Sequence, residues 1–67
     1  MITNELNGKL QTLPPGSTIT DLLSIIGSDG NTLAIVVNEQ IIRPDKRSTH
    51  QLQNNNRVEI LVFAGGG

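Results

Sequence analysis

Residues 2–26 read ITNELNGKLQTLPPGSTITDLLSII and encode a hairpin followed by a helix. The pair Asn7-Gly8 near the start predicts a two-residue type I′ turn, because both central positions of that turn need positive φ. Residues 2–6 and 9–13 on either side therefore form two antiparallel strands. Two prolines and a glycine end the second strand, because proline has no N–H to give to a ladder.

One helix is predicted over residues 18–26 from the spacing of its apolar side chains. Four of them recur at i, i+3, i+4 and i+7 and form one stripe toward a core: Ile19, Leu22, Leu23 and Ile26. Thr18 is placed to act as the N-cap with Asp21 three residues on, and Gly27 can end the helix. A helix this short is unstable alone in water, so it must pack on a sheet.

The middle of the chain supplies two more strands. Residues 33–37 are a continuous apolar run, which is typical of an inner strand with cover on part of both faces. Residues 28–32 precede it as a polar loop. Residues 38–40 then turn the chain into a very short strand at residues 41–42.

The last third of the sequence is predicted to be a loop followed by a strand. Residues 43–56 contain a single strongly apolar residue, Leu52, so they are interpreted as a loop that wraps the fold with Leu52 as its anchor. Three asparagines at residues 54–56, which tolerate left-handed conformations, end the loop. The alternating run RVEILVF, residues 57–63, forms the final strand.

The order strand, strand, helix, strand, short strand, strand predicts a two-layer α+β domain. It is the order of the ubiquitin-like β-grasp fold, a mixed sheet with one helix packed on one face. In that topology the first and last strands lie side by side and parallel in the middle of the sheet. We expect the β-grasp domain to occupy residues 1–64, followed by a flexible glycine tail at residues 65–67.

Composition argues against several classes of function. The 67 residues include five Lys and Arg, six Asp and Glu and one aromatic residue, so the basic patch or stacking aromatics of a nucleic-acid-binding protein are missing. Cysteine is also missing, which excludes disulfides and thiolate metal sites from this chain. Neither a signal peptide nor a membrane-length apolar run is visible, so we expect a cytoplasmic protein without nucleic-acid or membrane partners.

The side chains form no pattern for catalysis, so we expect a chain that is not an enzyme and holds no metal or cofactor. His50 is the only histidine and lies in the polar loop without a partner group, which is typical of a solvated histidine. The acidic residues show no spacing for metal ligands. Arg43, Lys46 and Arg47 are close in sequence and are either solvated or in contact with a partner.

Three consecutive glycines, Gly65, Gly66 and Gly67, follow the last strand and Ala64. Because glycine allows close backbone approach and positive φ, such a tail fits a channel too narrow for any Cβ. Extended at about 3.3 Å per residue, residues 64–67 reach roughly 13 Å. The Gly67 carboxylate is then interpreted as a reagent offered to another protein's active site, and the alternative is a frayed, unused terminus.

The carboxylate of Gly67 is a poor electrophile as it stands, because oxide would have to leave. Transfer to the α-phosphate of ATP makes a mixed anhydride with a good leaving group, which a partner's thiolate or persulfide can attack. A bulky residue in place of Gly66 or Gly67 would clash in the channel that such a reaction needs.

Alternation along the final strand separates two sets of side chains. Val58, Ile60 and Val62 fall on one face, and Leu61 and Phe63 fall on the other. If the first set faces the helix, no second helix is available to cover Leu61 and Phe63. Exposed apolar residues beside a reactive tail are typical of a partner interface, and the alternative is that the wrapping loop buries them.

Four segments in this order are similar to a known family: residues 6–9 (LNGK), 17–23 (STITDLL), 36–44 (VVNEQIIRP) and 57–67 (RVEILVFAGGG). Together with the short length and the glycine end, the chain resembles the ThiS family, the small sulfur carriers of thiamin thiazole biosynthesis. The similarity runs nearly end to end. The family often has an Asp-Gly-Asp type turn where this chain has three asparagines.

The resemblance implies a protein co-substrate that takes no cofactor of its own. A ThiF-type adenylyltransferase would adenylate the Gly67 carboxylate, a persulfide sulfur donor enzyme would supply sulfur for a thiocarboxylate, and a ThiG-type thiazole synthase would use it. Ala64, Gly65 and Gly66 would pass through the partner's channel. Leu61 and Phe63 stay the residues that strand alternation predicts to contact the partner.

Other functions are compatible with the same residues. A MoaD-like carrier for molybdopterin synthesis has a similar fold and tail. A modifier of the ubiquitin type would conjugate its diglycine carboxylate to lysines. A passive β-grasp interaction module would leave the tail inert.

Overall fold

The computed structural model describes residues 1–28 and 32–62, except for the side chain of Leu33. Within these residues the chain forms a five-stranded sheet, one α-helix and one 3-10 turn. The elements are β1 (Ile2–Leu6), β2 (Lys9–Leu13), α1 (Ile19–Ile26), β3 (Thr32–Val37), β4 (Gln40–Ile41), the 3-10 turn (Pro44–Lys46) and β5 (Arg57–Val62).

The strand order across the sheet is β2-β1-β5-β3-β4. β1 and β5 lie side by side and parallel, with Glu5 opposite Arg57 and Leu6 opposite Val58. The other neighbouring pairs are antiparallel. The predicted β-grasp topology is therefore confirmed, because the last strand of the chain is an inner strand with a neighbour on each edge.

The local chemistry predicted for the first hairpin and the helix is confirmed. Leu6 pairs with Lys9 across a two-residue turn, in which Asn7 has a φ of 48°. At the helix, the Thr18 hydroxyl accepts the Asp21 N–H at 3.2 Å and the Asp21 carboxylate accepts the Thr18 N–H at 2.9 Å. This reciprocal capping box satisfies two backbone donors at the start of α1.

Two strand boundaries differ from the sequence prediction. Thr32 belongs to β3 and pairs with Val62 across a bulge, so it is not part of the preceding loop. Gln40 belongs to β4, because Asn38 and Glu39 alone form the turn and both have positive φ, 47° and 70°. The short strand therefore begins and ends one residue earlier than predicted.

The hydrophobic core lies between α1 and one face of the sheet. Its buried residues are Leu13, Ile19, Leu22, Leu23, Ile35, Val37, Leu52, Val58 and Ile60. Ile26 is partly buried against this core, so the predicted helix stripe is confirmed. Full burial of one aliphatic side chain contributes about 1.5–3 kcal/mol. Packing in the core therefore stabilises a helix that would be unstable as an isolated segment.

The loop at residues 43–56 packs on the same side of the sheet as α1. Leu52 is 2% exposed, which confirms it as the anchor of the loop, and its N–H donates to the Ser17 carbonyl at 2.8 Å. The carbonyls of His50 and Arg47 accept the N–H groups of the first two helical residues at 3.2 and 3.1 Å. These bonds satisfy helix donors that have no partner within the helix, and they keep the loop away from the opposite sheet face.

The three asparagines that end this loop fasten it to β1. The Asn54 side chain accepts the Thr3 N–H at 2.8 Å, and the Asn55 N–H donates to the Thr3 carbonyl at 2.7 Å. Asn55 has a φ of 68°, the left-handed conformation expected from the sequence. The turn thus extends the pairing of β1 to the residues just before the start of β5.

Candidate functional site

One face of the sheet carries no helix or loop among the described residues, and we call it the open face. Strand alternation places Ala34, Val36, Ile41 and Leu61 on it, because Val36 is opposite Ile41 and Ala34 is opposite Leu61. Ile41 is 75% exposed and Leu61 is 62% exposed, while Ala34 and Val36 are half-buried. These four residues form an apolar patch over β4, β3 and the end of β5.

The other end of the open face is charged. Arg57, the first residue of β5, lies opposite Glu5 of β1 and places its guanidinium 3.8 Å from the Glu39 carboxylate. Glu59 is exposed and lies opposite Val36, between the charged end and the apolar patch. Exposed ion pairs of this kind add little stability, so the charges act on the electrostatics of this face rather than on the fold.

Asparagine side chains bind β5 at its first residue and at Ile60. At the start, the Asn38 side-chain oxygen accepts the Arg57 N–H at 2.8 Å. Farther along, the Asn7 side-chain oxygen accepts the Ile60 N–H at 2.8 Å and its amide nitrogen donates to the Ile60 carbonyl at 3.2 Å. β5 is therefore held by side-chain bonds as well as by its two neighbouring strands, and it is the strand that leads to the glycine tail.

The ThiS family model matches residues 4–67. The chain belongs to the ThiS family. Its fold is also that of the crystal structure of a thiamine biosynthesis protein (ThiS) from Geobacter metallireducens, with a TM-score of 0.79 at 23% sequence identity. The alignment covers 98% of this chain and 100% of that chain. A search of curated proteins found no match.

Membership of the ThiS family supports a role as a sulfur carrier in thiamin biosynthesis, with partners in that pathway. The described part of the chain holds no cluster of histidine and carboxylate groups that could bind a metal ion. It also has no helix with the length and apolar character of a membrane span.

Of the residues predicted for the site, the structure describes only Leu61. Leu61 is exposed on the open face, and the loop that could have buried it packs on the helix side instead. Its part in partner binding stays a prediction. The roles predicted for the last five residues stay predictions, because these residues lie outside the described part of the chain: Phe63, Ala64, Gly65, Gly66 and Gly67.

The basic residues and the histidine of the loop differ in their exposure and in their contacts. Arg43 and Lys46 are exposed, and Arg43 lies 3.8 Å from the Asp45 carboxylate. Arg47 and His50 are partly buried, and their backbone carbonyls bind the helix. The predicted solvated histidine therefore has a structural task through its backbone.

Sequence reasoning missed Ile41 and the side-chain bonds of the two asparagines. The signal for Ile41 was a two-residue turn at Asn38 and Glu39, which would have set Ile41 opposite Val36. The turn is one residue shorter than predicted because Glu39 has positive φ, which is uncommon for a non-glycine residue. The bonds of Asn7 reach Ile60, far along the chain, and no local pattern predicts them.

Proposed function

We propose that this chain carries sulfur as a thiocarboxylate on Gly67 and donates it to thiazole synthase in the cytoplasm. The observation that carries the proposal is the match to the ThiS family through the final glycine. The structure adds support, since β5 is an inner strand fixed on both edges and leads directly into residues 63–67. In this proposal the partner enzymes bind the folded domain, and the carboxylate at the end of the tail reacts.

The apolar patch on the open face is the surface proposed to meet the partner enzymes. Leu61 and Ile41 are large apolar side chains exposed to solvent. Val36 lies between them on β3, opposite Ile41. Contiguous exposed apolar residues mark interaction sites. Phe63 is proposed to extend this contact, as the alternation of the sequence predicts.

The reaction proceeds through an activated acyl group. A carboxylate oxygen of Gly67 attacks the α-phosphorus of ATP, the bond to pyrophosphate breaks, and an acyl adenylate forms. The terminal sulfur of a persulfide attacks the acyl carbon, AMP leaves, and an acyl disulfide forms. A thiolate then attacks that disulfide, is itself oxidised into a new disulfide, and releases the thiocarboxylate. The carrier is a co-substrate in each step, and the partner enzymes supply the catalysis.

Ala64, Gly65 and Gly66 are proposed to occupy the narrow channel that leads to the adenylating site. Five residues follow Val62 in the sequence, and fully extended they span roughly 17 Å. Glycine without a Cβ fits where a side chain would clash. The length and the narrow profile of this segment are thus separate requirements.

Mass spectrometry tests the proposal. The intact chain is incubated with a ThiF-type enzyme, ATP, magnesium, a thiol and a persulfide source. We expect the mass of one sulfur-for-oxygen exchange, localised to Gly67 by fragmentation. A chain that no adenylating enzyme can activate would leave only the passive interaction module.

Two tail variants separate the requirements. Deletion of Gly66 and Gly67 shortens the reach, and Gly66→Val keeps the length but adds a branched side chain. Both should melt at the temperature of the unaltered chain and both should fail to gain sulfur. Full charging of Gly66→Val would show that the profile of the tail is not restricted.

A further inference from the structure

The Asn7 side chain takes the place of a ladder residue on β5. The Asn7 N–H donates to the Val58 carbonyl at 2.9 Å, and in a continuing parallel ladder the Ile60 N–H would next donate to the Asn7 carbonyl. Asn7 instead turns away into the hairpin with a φ of 48°. Its side-chain oxygen accepts the Ile60 N–H at 2.8 Å, and its side-chain nitrogen donates to the Ile60 carbonyl at 3.2 Å.

This two-point contact is placed where β5 needs it. Ile60 is 5% exposed, and buried backbone groups without partners are costly. On the other edge, the last residues of β5 pair with β3 across an irregular register, because a bulge separates Thr32 from Ala34. On the edge of β5 that faces β1, the side chain of Asn7 therefore holds the strand at Ile60, shortly before the chain continues toward Gly67.

We propose that Asn7 is a positioning residue for the tail: by fixing both backbone groups of Ile60, it fixes the direction in which the chain leaves the sheet. The inference rests on the proposed function, in which the Gly67 carboxylate must reach a partner's active site after the fold has docked. A fixed exit keeps the carboxylate near that site for more of the time, and such pre-organisation raises the rate of the bound complex.

Asn38 provides a matched control within the same molecule. It also begins a two-residue turn with positive φ, 47°, and its side-chain oxygen also accepts a β5 N–H at 2.8 Å, that of Arg57. Arg57 is the first residue of β5, at the end far from the tail. Loss of the Asn38 side chain removes one hydrogen bond to β5, against two for Asn7, and should leave the tail exit unaltered.

The first measurement is native-state amide exchange in Asn7→Gly and Asn38→Gly. Glycine accepts positive φ without strain, so each turn is kept and only the side-chain bonds are lost. Leu61 is the reporter, because it pairs with Ala34 on β3 and makes no described bond with Asn7. In Asn7→Gly its exchange, relative to that of Ile35 in the core, should rise on the order of tenfold. In Asn38→Gly it should be unchanged.

The second measurement is steady-state adenylation by a ThiF-type enzyme, followed as pyrophosphate release. Because the open face is intact, Asn7→Gly should keep its KM within about twofold while kcat falls about tenfold. Asn38→Gly should alter neither constant. Asn7→Asp keeps an oxygen acceptor for the Ile60 N–H but sets a second carboxylate oxygen against the Ile60 carbonyl, so its Leu61 exchange should rise and its kcat should fall, as in Asn7→Gly.

Equal Leu61 exchange in the two glycine variants overturns the inference, as does a higher KM with an unchanged kcat. If Asn7→Gly does not fold, Asn7→Asp decides by the same two readouts. Failure of the unaltered chain to be adenylated would sink the proposed function, and the exchange measurement would still decide whether Asn7 holds the end of β5.

Discussion

Ile60 and Leu61 are neighbours in the chain and belong to opposite faces of the sheet. Ile60 is 5% exposed and packs in the core beneath α1, whereas Leu61 is 62% exposed on the open face. One strand thus contributes alternate residues to folding and to a surface that can meet a partner. On β5, a shift of one position therefore changes the expected effect of a substitution from a loss of stability to a loss of binding.

The largest expected effect lies on the covered face. Leu23 of α1 is 4% exposed, so Leu23→Ala should lower the free energy of unfolding by about 2–5 kcal/mol. Domains of this size have little stability to lose. Ile25 on the same helix is 53% exposed, and Ile25→Ala should change the unfolding free energy by less than about 1 kcal/mol. Urea unfolding measures both free energies. Equal losses would show that burial against the sheet does not decide the effect of a substitution.

Asn4 is a buried polar residue on the face of the sheet that packs against α1. Its removal tests how much a polar contact on that face adds to stability. Asn4 is fully buried and its side-chain nitrogen donates to the Gln53 carbonyl at 2.6 Å. Asn4→Ala should cost about 1–3 kcal/mol, because the part-buried bond to the Gln53 carbonyl is lost. Thermal unfolding at constant pH measures the loss. An unchanged stability would show that the buried contact contributes nothing to the fold.

The capping box of α1 contributes less. Thr18→Ala removes the side-chain acceptor of the Asp21 N–H, and loss of such a cap typically costs about 1 kcal/mol. Thr18→Ser keeps the hydroxyl and serves as the control, with an effect of no more than a few tenths of a kcal/mol. If both variants lose the same stability, the hydroxyl is not what stabilises the helix start.

The smallest effect on stability, and the largest on binding, is expected on the open face. Leu61→Asp should keep the melting temperature and the circular dichroism spectrum and abolish binding to the adenylating enzyme. Leu10→Asp is the matched control, since Leu10 is 79% exposed on β2, away from the apolar patch. Titration calorimetry with each variant compares them. Equal loss of binding in both would refute a local patch, and unfolding of Leu61→Asp would show that Leu61 serves the fold.

The sequence predicts those parts of the structure that depend on near neighbours. The turn at Asn7 and Gly8 and the cap at Thr18 follow from backbone preferences within a few residues. The strand assignment at Gln40 failed because it depends on the unusual φ of Glu39. The bonds from Asn7 to Ile60 join residues 53 positions apart, so only the folded sheet reveals them.

The candidate site divides in the same way. The exposure of Leu61 could be predicted from alternation along β5, because the side-chain period of a strand is two. Ile41 could not, since its face depends on the register between β3 and β4. The roles of Phe63 and of the glycine tail were predicted from the sequence and lie outside the described residues.

Sulfur delivery by the chain in its thiocarboxylate form is the decisive measurement. The chain is prepared with the thiocarboxylate already on Gly67, so that only docking and delivery are measured. It is then offered in parallel to thiazole synthase with its other substrates and to the large subunit of molybdopterin synthase with its precursor. We expect labelled sulfur to enter the thiazole product, and we expect Leu61→Asp to slow this delivery while Leu10→Asp does not. Delivery of sulfur only to the molybdopterin product would contradict this expectation.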